Sequence, residues 1–254
     1  MRGPETYRRT NRWLDPAAIN QAAKVRLFCL PFAGAGSSVY RSWSKHLPPF
    51  VDVCPIQLPG RENRLSEPAA VRAEPLAREI AQAILPFLDK PFAFFGHSMG
   101  ALLAYEVARK LRAGHGFEPV QLFASAHGGP HLPEIDRDVY KLSDDEFVEH
   151  LRTLNGTPQA VLDCPELMEL LLPGLKADFE LLGTYDYKPE APFSCPIAVY
   201  GGLQDQSVTP EQMDGWQIHT TGSFTVRLLP GDHFYLKGPA RTSLLKEIAR
   251  HIPA

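Results

Sequence analysis

The segment from Pro91 to Gly100 constrains this chain most strongly, because it predicts a strand, a tight turn and the start of a helix in immediate succession. The apolar run from Phe92 to Phe95 is typical of a buried strand, and the apolar residues after Gly100 are typical of a helix. Ser98 lies at the turn, with Gly96 and Gly100 two residues to either side. Glycines there let strand and helix approach closely, so that the serine hydroxyl projects above the sheet edge. The spacing therefore favours a nucleophile over an ordinary turn serine.

Strand-like and helix-like segments alternate along the rest of the chain, which is typical of an α/β fold. Apolar runs predict strands at residues 25–31, 51–58, 92–95, 120–126, 196–200 and 224–229. This alternation predicts a mostly parallel central sheet with right-handed crossovers, flanked by helices. The chain has 254 residues, of which 44% are hydrophobic, and this is enough to bury the core of one domain.

The pattern divides the chain into three predicted parts. They are an N-terminal arm at residues 1–24, a core at residues 25–126 and 193–254, and a helical lid insertion at residues 127–192. The insertion lacks a strand pattern and predicts helices at 143–154, 165–172 and 174–185, with Pro173-Gly174 as a break. Its many leucines fit either internal packing or the lining of a channel for an apolar substrate. A further helix is expected near residues 39–47.

Composition excludes several classes of function. A formal charge of −3 argues against a nucleic-acid binder that depends on phosphate contacts. The sequence has no long apolar run and no apolar signal core, so we expect a cytoplasmic protein without membrane contact. The four cysteines are scattered, so reduced thiols are expected and no metal site is predicted. Gly34 and Gly36 lack the third glycine of a dinucleotide fingerprint, and no cofactor is expected.

A serine nucleophile needs a histidine base, and the base needs an acid that orients it. In a sheet of this type the acid and then the histidine follow the serine, each on a loop after a strand. Asp205 follows the strand at residues 196–200, and His233 follows the last strand. We therefore predict Ser98, Asp205 and His233 as the catalytic residues. The other candidates lie before the serine, in helices, in the insertion or beside His233: His97, His127, His131, His219, His251, Asp163, Asp186, Asp214 and Asp232.

The oxyanion formed during such a reaction needs two backbone N–H donors. One is predicted at Met99, the residue after the nucleophile, and the other at Ala33 in the small-residue loop after the first strand. Arg61 and Arg64 lie in the loop after the second strand. We interpret them as residues of a solvated loop, with the alternative that they shape the entrance of the site.

Four motifs together resemble the type II thioesterases that accompany polyketide synthases and nonribosomal peptide synthetases. The resemblance extends from about Trp13 to Ile248, with Ala35 as a departure where that family commonly has glycine. The motifs are Leu30-Pro-Phe-Ala-Gly-Ala-Gly-Ser37, Gln57-Leu-Pro-Gly-Arg-Glu-Asn-Arg64, Phe95-Gly-His-Ser-Met-Gly-Ala101 and Gly231-Asp-His-Phe-Tyr235.

The resemblance implies an α/β-hydrolase fold and a role in editing. In such a role the enzyme hydrolyses acyl thioesters on the phosphopantetheine arm of an acyl carrier protein or peptidyl carrier protein. It also implies a monomer, and it suggests that Arg61, Arg64 or the N-terminal arginines contact the acidic carrier. The residues alone leave open a carboxylesterase or lipase acting on oxygen esters, acyl transfer to another acceptor, and a non-catalytic binding protein.

Overall fold

The computed structural model describes residues 11–15, 18–133 and 137–253, so half of the predicted N-terminal arm, residues 1–10, 16 and 17, lies outside the described residues. Six strands of the described chain form one sheet in the order β2-β1-β3-β4-β5-β6. Every neighbouring pair is parallel. The strands are β1 (Val25–Leu30), β2 (Val51–Pro55), β3 (Phe92–His97), β4 (Gln121–Ser125), β5 (Ile197–Gly202) and β6 (Phe224–Leu229). The predicted α/β class with a parallel central sheet is confirmed.

Helices connect the strands and cover both faces of the sheet. They are α1 (Ala73–Ile84), α2 (Met99–His115), α3 (Asp144–Leu154), α4 (Gln159–Leu162), α5 (Pro165–Gly183), α6 (Pro210–Asp214) and α7 (Arg241–His251). The predicted start of α3 is confirmed, because the Ser143 hydroxyl accepts from the Glu146 N–H and the Glu146 carboxylate accepts from the Ser143 N–H. No helix in residues 11–15, 18–133 and 137–253 has the length and apolar character needed to cross a membrane.

The core consists of two apolar layers on opposite faces of the sheet. Successive strand residues point to opposite faces, so Phe94 packs in the layer of α1 and α2 while Phe95 packs in the layer of α7. Both side chains are fully buried. Because the helices occupy the two faces, the loops at the carboxyl ends of the strands remain at one edge, where open α/β sheets bind their ligands.

The prediction of a helix near residues 39–47 is wrong. Two short 3-10 turns, Ser37–Tyr40 and Trp43–Lys45, occupy this segment. Tyr40 and Trp43 are both fully buried, and both rings pack edge-on against Phe95. The segment carries serine at positions 37, 38, 42 and 44, and serine favours turns over helix interiors because its side chain competes for backbone hydrogen bonds.

The predicted break at Pro173 is also wrong, because α5 continues through this residue. Proline removes one hydrogen bond from a helix interior, but the residues on either side of it pack tightly. Met168 and Leu175 join the buried cluster of α3, which includes Phe147, and Leu181 joins the main core. Tertiary packing therefore outweighs the local signal. The helical segment between β4 and β5 has a small apolar core of its own.

Candidate active site

Ser98 lies between β3 and α2 in a strained backbone conformation, with φ 53° and ψ −123°. Non-glycine residues rarely adopt a positive φ, and such strain costs about 1–3 kcal/mol. A Cβ on Gly96 would lie 2.0 Å from the Gly100 carbonyl oxygen, and one on Gly100 would lie 2.1 Å from the Leu30 carbonyl oxygen. Both glycines are therefore required by sterics, as the spacing predicted, and Ser98 remains partly exposed at the strand end.

His233 and Asp205, predicted as base and acid, are in direct contact. His233 Nδ1 lies 2.9 Å from Asp205 Oδ2, and the Asp205 side chain is fully buried while that of His233 is 15% exposed. The other carboxylate oxygen of Asp205 accepts from the Ser207 N–H at 2.8 Å. A carboxylate on Nδ1 orients the ring and leaves Nε2 as the proton acceptor. The neighbouring Asp232 accepts from the Phe234 N–H instead, so it braces the loop.

The structure places His233 next to the serine turn without a hydrogen bond to the serine. In the described part of the chain, no hydrogen bond joins the Ser98 hydroxyl to His233. The ring of His97, the residue before Ser98, packs edge-on against His233 with 5.4 Å between ring centroids. Catalytic hydrogen bonds are often long in free enzymes and tighten only when substrate binds. The geometry is therefore compatible with a serine–histidine pair that closes on the substrate.

His97 is a buried structural residue, which supports its rejection as the base. Its side chain is fully buried, and Nδ1 lies 2.7 Å from the Ser125 hydroxyl. That hydroxyl is also hydrogen-bonded to the Tyr235 hydroxyl. Burial, together with repulsion between the two rings when His233 is protonated, holds the pKa of the His97 imidazole well below its usual range. The neutral ring therefore forms part of the wall behind His233.

The two predicted oxyanion donors are brought together by the Gly100 contact. Since Gly100 packs against the carbonyl groups of Leu30 and Pro31, the loop after β1 passes directly over the start of α2. Met99 is the first residue of α2, and the first N–H groups of a helix have no partner inside the helix. Within the described chain, no backbone carbonyl accepts from the Ala33 N–H. Both N–H groups are therefore available to a ligand.

The departure at Ala35 leaves the loop geometry unaffected. Gly34 has φ +77°, which favours glycine, whereas Ala35 does not have a positive φ and is buried. The Ala35 N–H donates to the Phe32 carbonyl oxygen at 3.0 Å, closing a tight turn. Alanine is therefore tolerated at this position.

Arg61 and Arg64 are buried, so the interpretation that they lie in a solvated loop is wrong. The alternative that they shape the entrance of the site is supported for Arg61, which lines the cavity beside Ala33, while a contact with a carrier protein stays a prediction. Arg64 contacts Glu67 and lies over the Trp13 ring. Arg61 forms two hydrogen bonds of 2.7 Å to the carboxylate of Asp178. Sequence reasoning missed Asp178, because nothing local connects it to residues more than a hundred positions earlier. Its position within an apolar stretch of helix was the only available signal.

A cavity of about 330 Å³ adjoins Ala33 and the loop around it. Apolar side chains from the helical segment line its far side, namely Val161, Leu171 and Leu175. A larger cavity of about 910 Å³ lies at the β2 edge of the sheet, and none of Ser98, Asp205 and His233 lines either cavity. The smaller cavity is therefore the better candidate for substrate, because it adjoins the predicted oxyanion donor. Among the described residues, no three His, Cys, Asp or Glu side chains gather as a metal site requires.

Comparisons with known proteins show the family of the chain. The sequence model of the thioesterase domain matches residues 25–254. The chain is 45% identical to the gramicidin S biosynthesis protein GrsT of Aneurinibacillus migulanus, over 89% of this chain and 88% of that protein. It is 38% identical to the thioesterase PikA5 of Streptomyces venezuelae, over 84% and 75% of the two chains. The structure of RedJ, a thioesterase from the prodiginine biosynthetic pathway in Streptomyces coelicolor, superposes with a TM-score of 0.86. The two chains are 42% identical, and the match covers 94% of this chain and 92% of RedJ.

Proposed function

The chain belongs to the thioesterase family, as a type II thioesterase with the α/β-hydrolase fold, and we propose that it releases acyl groups from carrier proteins of nonribosomal peptide or polyketide assembly. The substrates would be acyl groups held as thioesters on the phosphopantetheine arm of an acyl or peptidyl carrier protein. The role would be the removal of aberrant or stalled groups. The observation that carries the proposed chemistry is the His233–Asp205 contact beside the strained serine turn.

In the first step the Ser98 hydroxyl attacks the thioester carbonyl while His233 Nε2 takes its proton. The carbonyl oxygen becomes an oxyanion held by the N–H groups of Ala33 and Met99, and each such donor contributes about 3 kcal/mol to lowering the barrier. Asp205 stabilises the imidazolium that forms. When the intermediate collapses, the carbon–sulfur bond breaks and the pantetheine thiol leaves with the proton from His233. The acyl group remains on Ser98 as an ester.

In the second step water releases the acid. His233 takes a proton from the water as it attacks the ester carbonyl, and the same two N–H groups hold the second oxyanion. The intermediate collapses as the bond to Ser98 Oγ breaks, and His233 returns the proton to the serine. Hydrolysis of oxygen esters would follow the same steps, so it is the family membership that favours thioesters.

We propose that residues 127–192 act as a lid over this edge of the sheet, with residues 25–126 and 193–254 as the core and residues 1–24 as an arm. Two contacts support this division. A Cβ on Gly156 would lie 2.5 Å from the Phe234 ring, beside His233, and one on Gly34 would lie 2.6 Å from Leu175. The helical segment thus touches the loops on both sides of the site. The monomeric state, the cytoplasmic location and a carrier contact by the N-terminal arginines stay predictions from the sequence.

The test is hydrolysis of acetyl, propionyl and decanoyl thioesters, each presented on free pantetheine and on a carrier protein, with the matched oxygen esters in parallel. Wild type is compared with Ser98→Ala and with Ser223→Ala, which alters an exposed serine outside the site. We expect release of the acid that is lost in Ser98→Ala, retained in Ser223→Ala, and faster from the carrier than from free pantetheine. Cleavage of oxygen esters without cleavage of thioesters, or activity that survives Ser98→Ala, would contradict the proposal.

A further inference from the structure

We infer that Arg61 and Asp178 are positioning residues that hold the loop after β1 in the shape its oxyanion donor requires, and that α5 is thereby coupled to catalysis. This inference rests on the proposed function. Asp178 belongs to α5 in the helical segment, whereas Arg61 belongs to the loop after β2. Because Asp178 also contacts the loop after β1, this cluster joins three parts of the chain that are distant in sequence.

Both carboxylate oxygens of Asp178, a residue that is 1% exposed, accept hydrogen bonds. Oδ2 accepts from the Gly34 N–H at 2.7 Å and from Arg61 Nη1 at 2.7 Å, and Oδ1 accepts from Arg61 Nη2 at 2.7 Å. A bidentate arginine–carboxylate pair is geometrically demanding, since a planar fork must meet both oxygens at once. The carboxylate therefore has a defined orientation. One of the three hydrogen bonds that it accepts comes from the backbone of the loop after β1, at Gly34.

The hydrogen bond from the loop to Asp178 lies next to the predicted oxyanion donor. Gly34 immediately follows Ala33, so the peptide group whose N–H binds Asp178 is the one on the carboxyl side of Ala33. Arg61 also donates to the Ala35 carbonyl oxygen at 3.3 Å and to the Pro59 carbonyl oxygen at 3.2 Å. The pair thus restrains the chain directly after Ala33 from two sides. An oxyanion donor is effective only when it is held in place before the charge develops.

Besides the ion pair, α5 makes close steric contacts with these loops. A Cβ on Gly34 would meet Leu175, and one on Gly174 would lie 3.3 Å from the Gly60 carbonyl oxygen. Gly174, Leu175 and Asp178 lie on one face of α5, since residues three and four apart share a helix face. The face of α5 that carries Asp178 therefore packs against the loops after β1 and β2. Displacement of α5 would break the hydrogen bond between Asp178 and the Gly34 N–H.

The deciding variant is Arg61→Met with Asp178→Leu, because apolar replacement of a buried ion pair is often neutral for stability. Its two readouts are kcat and KM on an acetyl thioester, and the inhibition constant of an alkyl boronic acid, which forms a tetrahedral adduct on serine. We expect kcat to fall about 10- to 100-fold with KM within about twofold, and boronic acid affinity to fall by a similar factor. A merely structural pair would lower the melting temperature without weakening that adduct. Unchanged kcat and boronic acid affinity in a folded double variant would overturn the inference.

Arg61→Lys and Arg64→Lys form a matched pair that decides the question if the double variant does not fold. Both arginines are 7% exposed in the same loop and both bind a carboxylate, but only Arg61 contacts the loop at residues 33–36. We expect Arg61→Lys to lose at least about threefold in kcat and in boronic acid affinity, because lysine cannot bind bidentately, while Arg64→Lys stays within about twofold. Equal effects of the two substitutions would overturn the inference. If wild type cleaves oxygen esters and no thioester, the proposed function fails, yet ester hydrolysis and boronic acid binding still test the pair.

Discussion

Replacing Gly100 with alanine tests whether the serine turn and the oxyanion loop form one sterically coupled unit. The added Cβ would lie 2.1 Å from the Leu30 carbonyl oxygen and 2.8 Å from the Pro31 carbonyl oxygen. Both neighbours are backbone atoms, so no side chain can rotate away. Since ordinary contact begins near 3.4 Å, the end of β1 and the start of α2 must separate by more than an ångström.

That separation has a cost in stability and a larger cost in rate. Forced overpacking of a buried site typically costs about 1–3 kcal/mol. A displacement of about 1 Å between reacting groups and their donors typically lowers the rate about 100-fold. The shift in Gly100→Ala lies between Ser98 and the loop that carries Ala33, so we expect kcat to fall about 100-fold while the protein remains folded.

The assay is steady-state hydrolysis of an acetyl thioester, together with the melting temperature. Gly114→Ala is the matched control, because it makes the same change in the same helix and its Cβ would meet nothing within 4 Å. Gly114 lies in the last turn of α2, where alanine is still a better helix former than glycine, by at most about 1 kcal/mol, so this control should keep its stability and its kcat. A Gly100→Ala protein with kcat within threefold of wild type would refute the steric argument.

The remaining predictions concern the acid, the pH dependence of stability and the helical segment. Asp205→Asn should lower kcat about 10²- to 10⁴-fold with little change in KM, by removing the carboxylate that orients His233; a loss below tenfold in steady-state kinetics would reject that role. Burial lowers the pKa of His219 from 6.5 to about 4, so the unfolded chain takes up a proton in this range that the folded chain does not. Melting temperatures should therefore fall as the pH drops from 6.5 to 4, less steeply in His219→Gln, and parallel profiles would count against this. Phe147→Ala should cost about 3–5 kcal/mol of unfolding free energy in urea titrations, because Phe147 is fully buried in the α3–α5 cluster; a cost below 1 kcal/mol would exclude the packing described.

The strands and the serine turn could be predicted because their signals are local. Each strand is a short apolar run, and burial on both faces makes such runs continuous in a parallel sheet. Two glycines, Gly96 and Gly100, mark the turn at Ser98. A Cβ on either of them would lie within 2.2 Å of a backbone carbonyl oxygen, so no larger residue fits. The contact between Asp205 and His233 could be predicted because topology places the residues after β5 and β6 at the same edge.

Features that depend on contacts between distant segments could not be predicted. Arg61 in a glycine-led loop is usually a solvated residue, and only the carboxylate of Asp178, supplied from α5, makes its burial favourable. The continuity of α5 through Pro173 likewise depends on packing with Phe147 and its neighbours, which outweighs a local break. In both cases the interaction that stabilises the observed structure is with a residue distant in sequence, which no local pattern identifies.

Trapping the acyl-enzyme tests most directly whether Ser98 accepts the acyl group. Wild type and Ser98→Ala are mixed with a decanoyl carrier protein, quenched in acid within milliseconds, digested and analysed by mass spectrometry. We predict one decanoyl group on the wild-type peptide that contains Ser98 and none on the same peptide of Ser98→Ala. Acylation of a different residue, or release of decanoate by Ser98→Ala at the wild-type rate, would contradict the account.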